Sequence, residues 1–188
     1  MNTNLNSQKT TAKLALTGLM GALVLVGTYL NIPIPVLGDK TMIHLGNVFC
    51  ILSGFILGPL YGGAAAGIGS FIFDLIGGWA SSAPFTLIFK FLMAFVCGLI
   101  ANKNPNKVSR LVVAAVLGSI TYSVLYITKS YIAAVLIGNA ADAVKTILIT
   151  KGTTTLINAI IADVVSVPLF IVINKALLKN HIGIKLSE

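Results

Sequence analysis

A few ionisable side chains stand within or beside long apolar runs, and these are the residues of the sequence that could do chemistry. They are His44, Asp74, Lys90, Lys129 and Asp163. If the apolar runs cross a membrane, a charge near the bilayer centre costs at least about 2.5 to 3.5 kcal/mol. Such residues therefore tend to face a cavity, where they could contact a polar solute, or to pair with another residue.

Two of these residues, Asp74 and Lys90, are predicted to lie at similar depth on consecutive antiparallel helices. They could form a salt bridge that closes the bundle, or they could face a ligand, and the sequence leaves both open. His44 and Asn47 are one helical turn apart and can face the same outer cavity. Asn158, on the last apolar run, is also placed for a ligand.

The roles of Asp163 and Lys129 stay open. Asp163 is expected near mid-membrane, where it could form a hydrogen bond between helices.

Motifs for catalysis and metal binding are missing from the sequence. There is no GxxxxGK[ST], HExxH or GxSxG pattern, and Glu188 is the only glutamate. Cys50 and Cys97 have no companion at metal-ligand spacing. We therefore expect no enzyme activity, metal or cofactor in this chain, and an intramembrane enzyme is the weakest interpretation. If a solute is moved against a gradient, a partner must supply the energy.

Composition places the chain in a lipid bilayer. Its 188 residues are 56% hydrophobic and only 10% charged, and the mean hydropathy is +0.96. A soluble domain carries about 25% charged residues, so an ordinary cytosolic enzyme, a disordered chain and a secreted disulfide scaffold are excluded. A net charge of +8 could indicate binding to nucleic acid, but the positions of the Lys and Arg residues along the chain account for it.

The apolar runs divide at turn and charge signals into helices long enough to cross about 30 Å of hydrocarbon. We predict an all-α membrane protein: one domain of residues 1–188 and a bundle of six transmembrane helices. A β-barrel would show short alternating segments instead. The predicted spans are residues 12–30, 43–60, 62–79, 85–101, 111–137 and 153–178, and we number them one to six.

The distribution of Lys and Arg gives the orientation. An even number of spans puts both termini on one side, which holds eight of these residues against three on the other. The positive-inside rule then places both termini in the cytoplasm and the protein in the cell membrane. The remaining excess charge suits anionic lipid, and no nucleic-acid partner is needed.

Small residues recur four apart on two spans, which favours close helix packing in lipid. Span three holds Gly63 with Gly67 and Ala65 with Gly69, for which packing within the bundle is the default. Span one holds a stripe of Ala15, Gly18 and Ala22. That stripe could pack inside the bundle or dock a partner membrane protein.

Four segments taken in order resemble a known family. They are residues 43–47 (IHLGN), 58–62 (GPLYG), 70–75 (SFIFDL) and 83–90 (APFTLIFK). Their order, the chain length and the six predicted spans resemble the substrate-binding S components of energy-coupling factor (ECF) transporters. The resemblance covers nearly the whole chain.

The resemblance implies a pocket for a small molecule in the outer half of the bundle, lined by spans four to six and covered by outer loops. The matching positions are Lys90, Tyr122, Tyr126 and Asn158. It also implies that Ala15, Gly18 and Ala22 pack on a membrane-embedded T component, and that two ATPase subunits supply the energy. The chain itself would then be a binding subunit.

The resemblance also implies a water-soluble vitamin as the ligand. Vitamin B6 or a hydroxymethyl-pyrimidine is the first expectation, and riboflavin is the next. The alternative is a small integral membrane assembly protein without a ligand, whose polar residues only lock helices together. That alternative predicts no outer cavity.

Overall fold

The computed structural model describes residues 2–37 and 39–179, with the side chains of residues 10–37 and 40–176. Within that part of the chain, helices dominate and two short strands follow the first helix. In chain order the elements are α1 (Asn2–Tyr29), β1 (Asn31–Val36), β2 (Asp39–His44), α2 (Gly46–Ile76), α3 (Ala83–Ala101), α4 (Val108–Leu136) and α5 (Ala141–Lys179).

The helices have the length and composition of membrane spans. Among the described residues, five helices are long and apolar enough to cross a bilayer. Many of their large apolar side chains face outward, among them Leu14, Ile68, Val113 and Val164. In water this surface would be unfavourable, whereas lipid tails solvate it. The protein is therefore a multi-pass membrane protein, as the composition predicts.

Helix α2 reverses direction at a glycine. Gly58 has φ 78° and ψ −173°, which are not helical, and Pro59 follows it. The chain folds back at this point, as shown by a hydrogen bond of 2.9 Å from the hydroxyl of Ser53 to the carbonyl oxygen of Gly62. Nine residues of straight helix would instead separate these two positions by about 13 Å. We call residues 46–57 the first arm of α2 and residues 59–76 its second arm.

The segment predicted as a loop between the first two spans forms a β-hairpin, so the all-α prediction is wrong at this point. β1 and β2 pair antiparallel, with Asn31 opposite His44 and Val36 opposite Asp39. Pro33 and Pro35 fit because each strand of a two-stranded sheet has an edge where no donor is required. His44 consequently ends a strand instead of starting a helix, and α2 begins at Gly46.

Another departure concerns the last helix. The predicted short amphipathic piece and span six (153–178) form one continuous helix, α5, of 39 residues. At about 1.5 Å per residue it is about 58 Å long, which exceeds the thickness of the hydrocarbon core. The helix is therefore longer than one crossing requires. Because it is continuous, Lys151 stands on the same helix as Asn158.

The small residues of the second arm of α2 pack inside the bundle, as their spacing predicts. A side chain added at Gly67 would lie 2.7 Å from the Leu87 carbonyl oxygen on α3. Gly69 contacts the backbone of Gly21 on α1. The two sides of this arm thus approach two different helices closely.

The small stripe of α1 has a different environment. Ala15, Gly18 and Ala22 are exposed, and a side chain added at Gly18 would meet nothing within 4 Å. The stripe is therefore not used for packing among the described residues.

The two ends of the bundle differ in character. One end holds the turn at Gly58, the polar loop at 102–107 and the C-terminal half of α5, where the Asn174 amide donates to Asn106. The other end holds the β-hairpin and the turn that joins α2 to α3. The polar residues singled out from the sequence lie toward this second end.

Candidate functional site

A cavity opens at the hairpin end of the bundle, between the hairpin and residues of all five helices. Its volume is only about 60 Å³, less than the few hundred Å³ that a small-molecule site usually has. Its lining mixes hydroxyl, amide, ammonium and aromatic groups. The lining residues are Thr28, Lys40, Thr41, Met42, His44, Ser70, Asp74, Trp79, Ser82, Thr86, Lys90, Tyr122, Tyr126, Lys129, Lys151, Thr155 and Asn158.

Lys90 lies deep in this cavity, with only 3% of its surface exposed. Its Nζ donates to the amide oxygen of Asn47 on the first arm of α2, and it lies 3.7 Å from the centroid of the Tyr122 ring on α4. Both contacts favour the ammonium, through a hydrogen bond and through the negative face of the ring. The ammonium is therefore held in a fixed place from two sides.

Asp74 and Lys90 line the same cavity, as their predicted depth suggests. Lys90 contacts Asn47, and the Asp74 carboxylate lies near the Thr86 side chain. The Lys90 charge still acts on Asp74 across the cavity. The two groups thus face a shared space, and contact with a ligand stays a prediction.

Asn158 on α5 holds the hairpin in place. Its Oδ1 accepts the backbone N–H of His44 at 3.0 Å, and its Nδ2 donates to the carbonyl oxygen of Met42 at 2.8 Å. One amide thus satisfies two backbone groups of β2, so its polar atoms serve the hairpin. Asn158 also lines the cavity, where it positions the wall formed by β2.

His44, the last residue of β2, is buried as a neutral ring. Its Nδ1 accepts the N–H of Gly46 at 3.1 Å, a role that requires an unprotonated nitrogen. Burial, and then the nearby charge of Lys90, lower the pKa of His44 well below its ordinary value. The ring therefore stays uncharged at neutral pH.

Aromatic rings form one wall of the cavity. Tyr122 and Tyr126 are one turn apart on α4 and stack with centroids 5.7 Å apart at an interplanar angle of 14°. The hydroxyl of Tyr126 lies 3.2 Å from Oγ1 of Thr41 on β2, which links this wall to the hairpin. Trp79 lines the cavity as well. Its position near the end of a span would instead predict an aromatic residue of the membrane interface.

Most of the predicted site residues meet at this cavity. His44, Asp74, Lys90, Tyr122, Tyr126 and Asn158 line it, and Asn47 lies behind Lys90 as its hydrogen-bond partner. Asp163 lies elsewhere, where its carboxylate accepts from Ser119 at 2.7 Å and joins α5 to α4. Its role is the predicted bond between helices.

Sequence reasoning missed two lysines of this cavity, Lys40 and Lys151, which it treats as charges of outer loops. Lys129 was singled out from the sequence with its role left open, and it lines the cavity as well. Lys151 could have been found if α5 had been predicted at full length, since it stands seven residues before Asn158 and shares its face. Lys40 lines the cavity only because the hairpin forms, and no helical pattern predicts a hairpin.

The described residues contain no group of three or more His, Cys, Asp or Glu side chains that could hold a metal ion. The polar groups of the cavity are donors and acceptors suited to an organic solute. The fold and the cavity together define a multi-pass membrane protein with a small-molecule cavity at one end of its helical bundle.

Comparison with known proteins gives the family. The model of the ECF-type riboflavin transporter S component family matches residues 8–175. The chain belongs to this family of transporter subunits, which confirms the ECF S component predicted from the four sequence segments.

Two similar proteins support the same placement. A solved S component of a bacterial ECF transporter has a TM-score of 0.60 and 20% sequence identity, over 93% of this chain and 99% of that one. At this identity the likeness shows a shared fold. An uncharacterized protein from the gap 3′ region of Pyrococcus woesei is 30% identical over 105 residues, which are 56% of this chain and 70% of that protein.

Proposed function

We propose that this chain captures riboflavin, or a close flavin relative, in the cavity at the hairpin end of the bundle. The observation that carries the proposal is the stacked pair Tyr122 and Tyr126 beside the buried ammonium of Lys90. Aromatic faces suit a flat ring system, and a single fixed cation can bind a ring or side-chain oxygen.

Membership of a riboflavin transporter family moves riboflavin ahead of vitamin B6 and hydroxymethyl-pyrimidine, which the sequence alone ranked first. Because the cavity is only about 60 Å³, binding of a three-ring ligand requires its walls to move apart. The alternative of a ligand-free assembly protein predicts no outer cavity, so the cavity favours the binding proposal.

The hairpin end is proposed to face the cell exterior, with both termini in the cytoplasm. The reversal at Gly58 divides α2 into two arms, and counting these arms separately gives six helical segments among the described residues, which supports placing both termini on one side. The polar loop at 102–107 lies on that side with Lys103, Lys107 and Arg110, in agreement with the positive-inside rule.

Delivery is proposed to use a T component and two ATPase subunits. The exposed stripe of Ala15, Gly18 and Ala22 supports docking, because small side chains let another helix approach closely. Leucine at Gly18 and Ala22 should abolish co-purification with the T component while riboflavin binding is kept. The matched control is Leu19→Ala, on the same helix. Loss of riboflavin binding in the stripe variant would contradict a docking role.

The binding proposal is tested by titrating the purified protein in detergent with riboflavin, pyridoxine and hydroxymethyl-pyrimidine. Trp79, the only tryptophan in the chain, lines the cavity, so a bound flavin should quench its fluorescence. We expect saturable quenching by riboflavin that Lys90→Met weakens and that Lys103→Met, at the other end of the bundle, leaves unchanged. Saturation by none of the three compounds would contradict the proposal.

A further inference from the structure

A groove runs between α4 and α5 on a side of the bundle that faces lipid. Its volume is about 480 Å³, which lies in the usual range of small-molecule sites. Val124 on α4 and Leu156 on α5 border it, and both side chains are more than half exposed. The other lining residues are Ser123, Ile127, Thr128, Gly152 and Thr155. We call this space the lateral groove.

The lateral groove exists because α5 has no side chain at Gly152. A Cβ added there would lie 3.8 Å from Cδ1 of Ile127 on α4, in ordinary van der Waals contact, and no other described atom of the neighbouring elements would lie within 4 Å. A Cβ added at Gly67 would instead lie 2.7 Å from a backbone oxygen of α3. Gly67 therefore serves close helix packing, whereas Gly152 leaves room for an apolar group from outside the protein.

The depth of the lateral groove follows from its position relative to α3. This helix has 19 residues and is about 28 Å long, close to the thickness of about 30 Å of the hydrocarbon core. It begins just after Ser82, which is level with Lys129 on α4, because the Lys129 ammonium donates to the Ser82 hydroxyl at 3.0 Å. Residues 123–128 of α4 form the next turns inward, so the groove lies in the hydrocarbon of the leaflet at the hairpin end.

Lys145 lies on α5 beyond this apolar layer. It precedes Gly152 by seven residues, which is two helical turns, so it projects from the same face about 10 Å nearer the hairpin end. Gly152 is level with Ile127, which lies about 3 Å inside the level of Lys129. Lys145 therefore stands about 7 Å outside the hydrocarbon, at the depth of the headgroups. Its side chain is exposed, and so is that of Asp142, its neighbour one turn earlier.

These features match the parts of a phospholipid. The lateral groove opens to the bilayer and offers van der Waals contacts to an acyl chain, which fills the space that Gly152 leaves. The ammonium of Lys145 suits a phosphate, and the carboxylate of Asp142 suits a headgroup amine. A headgroup without an amine would bring only negative charge beside that carboxylate, which is unfavourable.

We propose that the lateral groove binds one acyl chain of a zwitterionic phospholipid, whose phosphate lies at Lys145 and whose amine lies at Asp142. Among the described residues, only Thr155 lines both this groove and the cavity at the hairpin end. The bound chain thus lies against the outside of one cavity wall. The lipid site does not depend on which solute the cavity takes.

The first test maps the lipid on the unmodified protein in phosphatidylglycerol vesicles. A trace of phosphatidylethanolamine with a diazirine on its acyl chain is added, and labelled peptides are identified by mass spectrometry after irradiation. We expect labelling of residues 123–128 to exceed that of Phe85 and Ile88, which are exposed on α3 at the same depth, by about fivefold. Equal labelling of the two surfaces would overturn the proposal, because it would mean that lipid only surrounds the bundle.

The second test fills the lateral groove. Gly152→Leu places an apolar side chain in the open space, so labelling of residues 123–128 should fall about fivefold. The matched control is Thr153→Leu, which adds the same side chain at the neighbouring exposed position outside the groove and should leave labelling unchanged. Equal labelling in the two variants would overturn the proposal.

The third test concerns the headgroup. Lys145→Gln should lower labelling of residues 123–128 about threefold, as expected for an exposed charge pair, whereas Lys107→Gln, at the other end of the bundle, should not change it. A phosphatidylglycerol probe with the same diazirine chain should label the lateral groove less than the phosphatidylethanolamine probe. Equal effects of the two lysine variants, or equal labelling by the two probes, would overturn the assignment of the headgroup to Lys145 and Asp142. These experiments contain no flavin, so their outcome leaves the proposed function unaffected.

Discussion

The ammonium of Lys90 lies 3.7 Å from the centroid of the Tyr122 ring and joins α3 to α4 at the floor of the cavity. The same ammonium reaches Asn47 on α2. Three helices thus meet at one cation, and a ligand placed over the tyrosines lies next to it. The affinity for a ligand therefore depends on the groups that hold this cation.

Asn47 is a positioning residue, because it acts through Lys90 and does not line the cavity. Asn47→Leu should weaken flavin binding about tenfold, since it removes the amide oxygen that orients the ammonium. Asn47→Asp keeps an acceptor and should stay within a few-fold of the unmodified protein. Flavin titration measures both.

A double-mutant cycle separates positioning from a general loss of structure. In a Lys90→Met background, Asn47→Leu should cost little further affinity, because the group it positions is gone. Additive losses from the two substitutions would contradict the positioning role.

Asn158 should hold the hairpin closed over the cavity. Asn158→Asp keeps the acceptor for the His44 N–H but loses the donor to the Met42 carbonyl, which is left facing a carboxylate. A cost of about 1 to 3 kcal/mol is expected for a buried group without its partner. Hydrogen exchange of residues 39–44 should accelerate, and flavin affinity should fall.

The control for this change is Asn174→Asp at the other end of the bundle, where an exposed amide donates to Asn106. Exchange in the hairpin should be unaffected by it. Unchanged exchange in Asn158→Asp would mean that the amide does not hold β2.

Gly58 should resist substitution, because its backbone lies in a region that only glycine adopts without strain. Gly58→Ala also places a methyl group 2.7 Å from the Asn102 side-chain nitrogen. We expect a loss of about 1 to 3 kcal/mol in stability, seen as a lower melting temperature in detergent. Gly18→Ala, in open space on α1, should not lower the melting temperature, and an equal loss in both variants would contradict this account of the reversal.

His44 should make stability depend on pH. Its pKa is lowered in the folded protein by burial, and then by Lys90, from the ordinary 6.5. Below that ordinary value the unfolded chain binds a proton that the folded chain does not, so stability is present above about pH 6.5 and is lost as the pH falls. The melting temperature in detergent should drop between about pH 7.5 and about pH 5.5.

Two variants test which of the two histidines causes this pH dependence. His44→Asn keeps an acceptor for the Gly46 N–H but cannot titrate, so the drop should flatten. His181→Asn removes the other histidine of the chain, which lies outside the described residues, and the drop should persist. The reverse pattern would place the effect at His181.

Much of the helical fold and of the site follows from the sequence. Apolar runs and turn signals place the apolar part of each helix, although α5 begins well before its predicted span, and Gly58 with Pro59 marks the reversal. The free-energy cost of a charge inside the bilayer singles out Asp74 and Lys90, because such a charge tends to face a cavity or to pair. Tyr122 and Tyr126 came from the family resemblance alone, since a tyrosine in an apolar run has no pattern of its own.

What could not be predicted depends on contacts distant in the chain. The segment from Asn31 to His44 holds two prolines and no clear alternation, so its pairing depends on the backbone bonds to Asn158, more than a hundred residues away. Lys40, Lys129 and Lys151 belong to the cavity only because the hairpin, α4 and α5 converge there. Charge at a span end normally indicates topology, and only the fold shows which of those charges face inward.

The measurement that tests the central claim most directly is a riboflavin titration of the purified protein and its Lys90→Met variant, followed by quenching of Trp79 fluorescence. The account predicts saturable quenching in the unmodified protein and an affinity about tenfold to a hundredfold weaker in Lys90→Met, as expected for a lost hydrogen bond from a charged group. Absence of saturable quenching, or equal affinities in the two proteins, would contradict it.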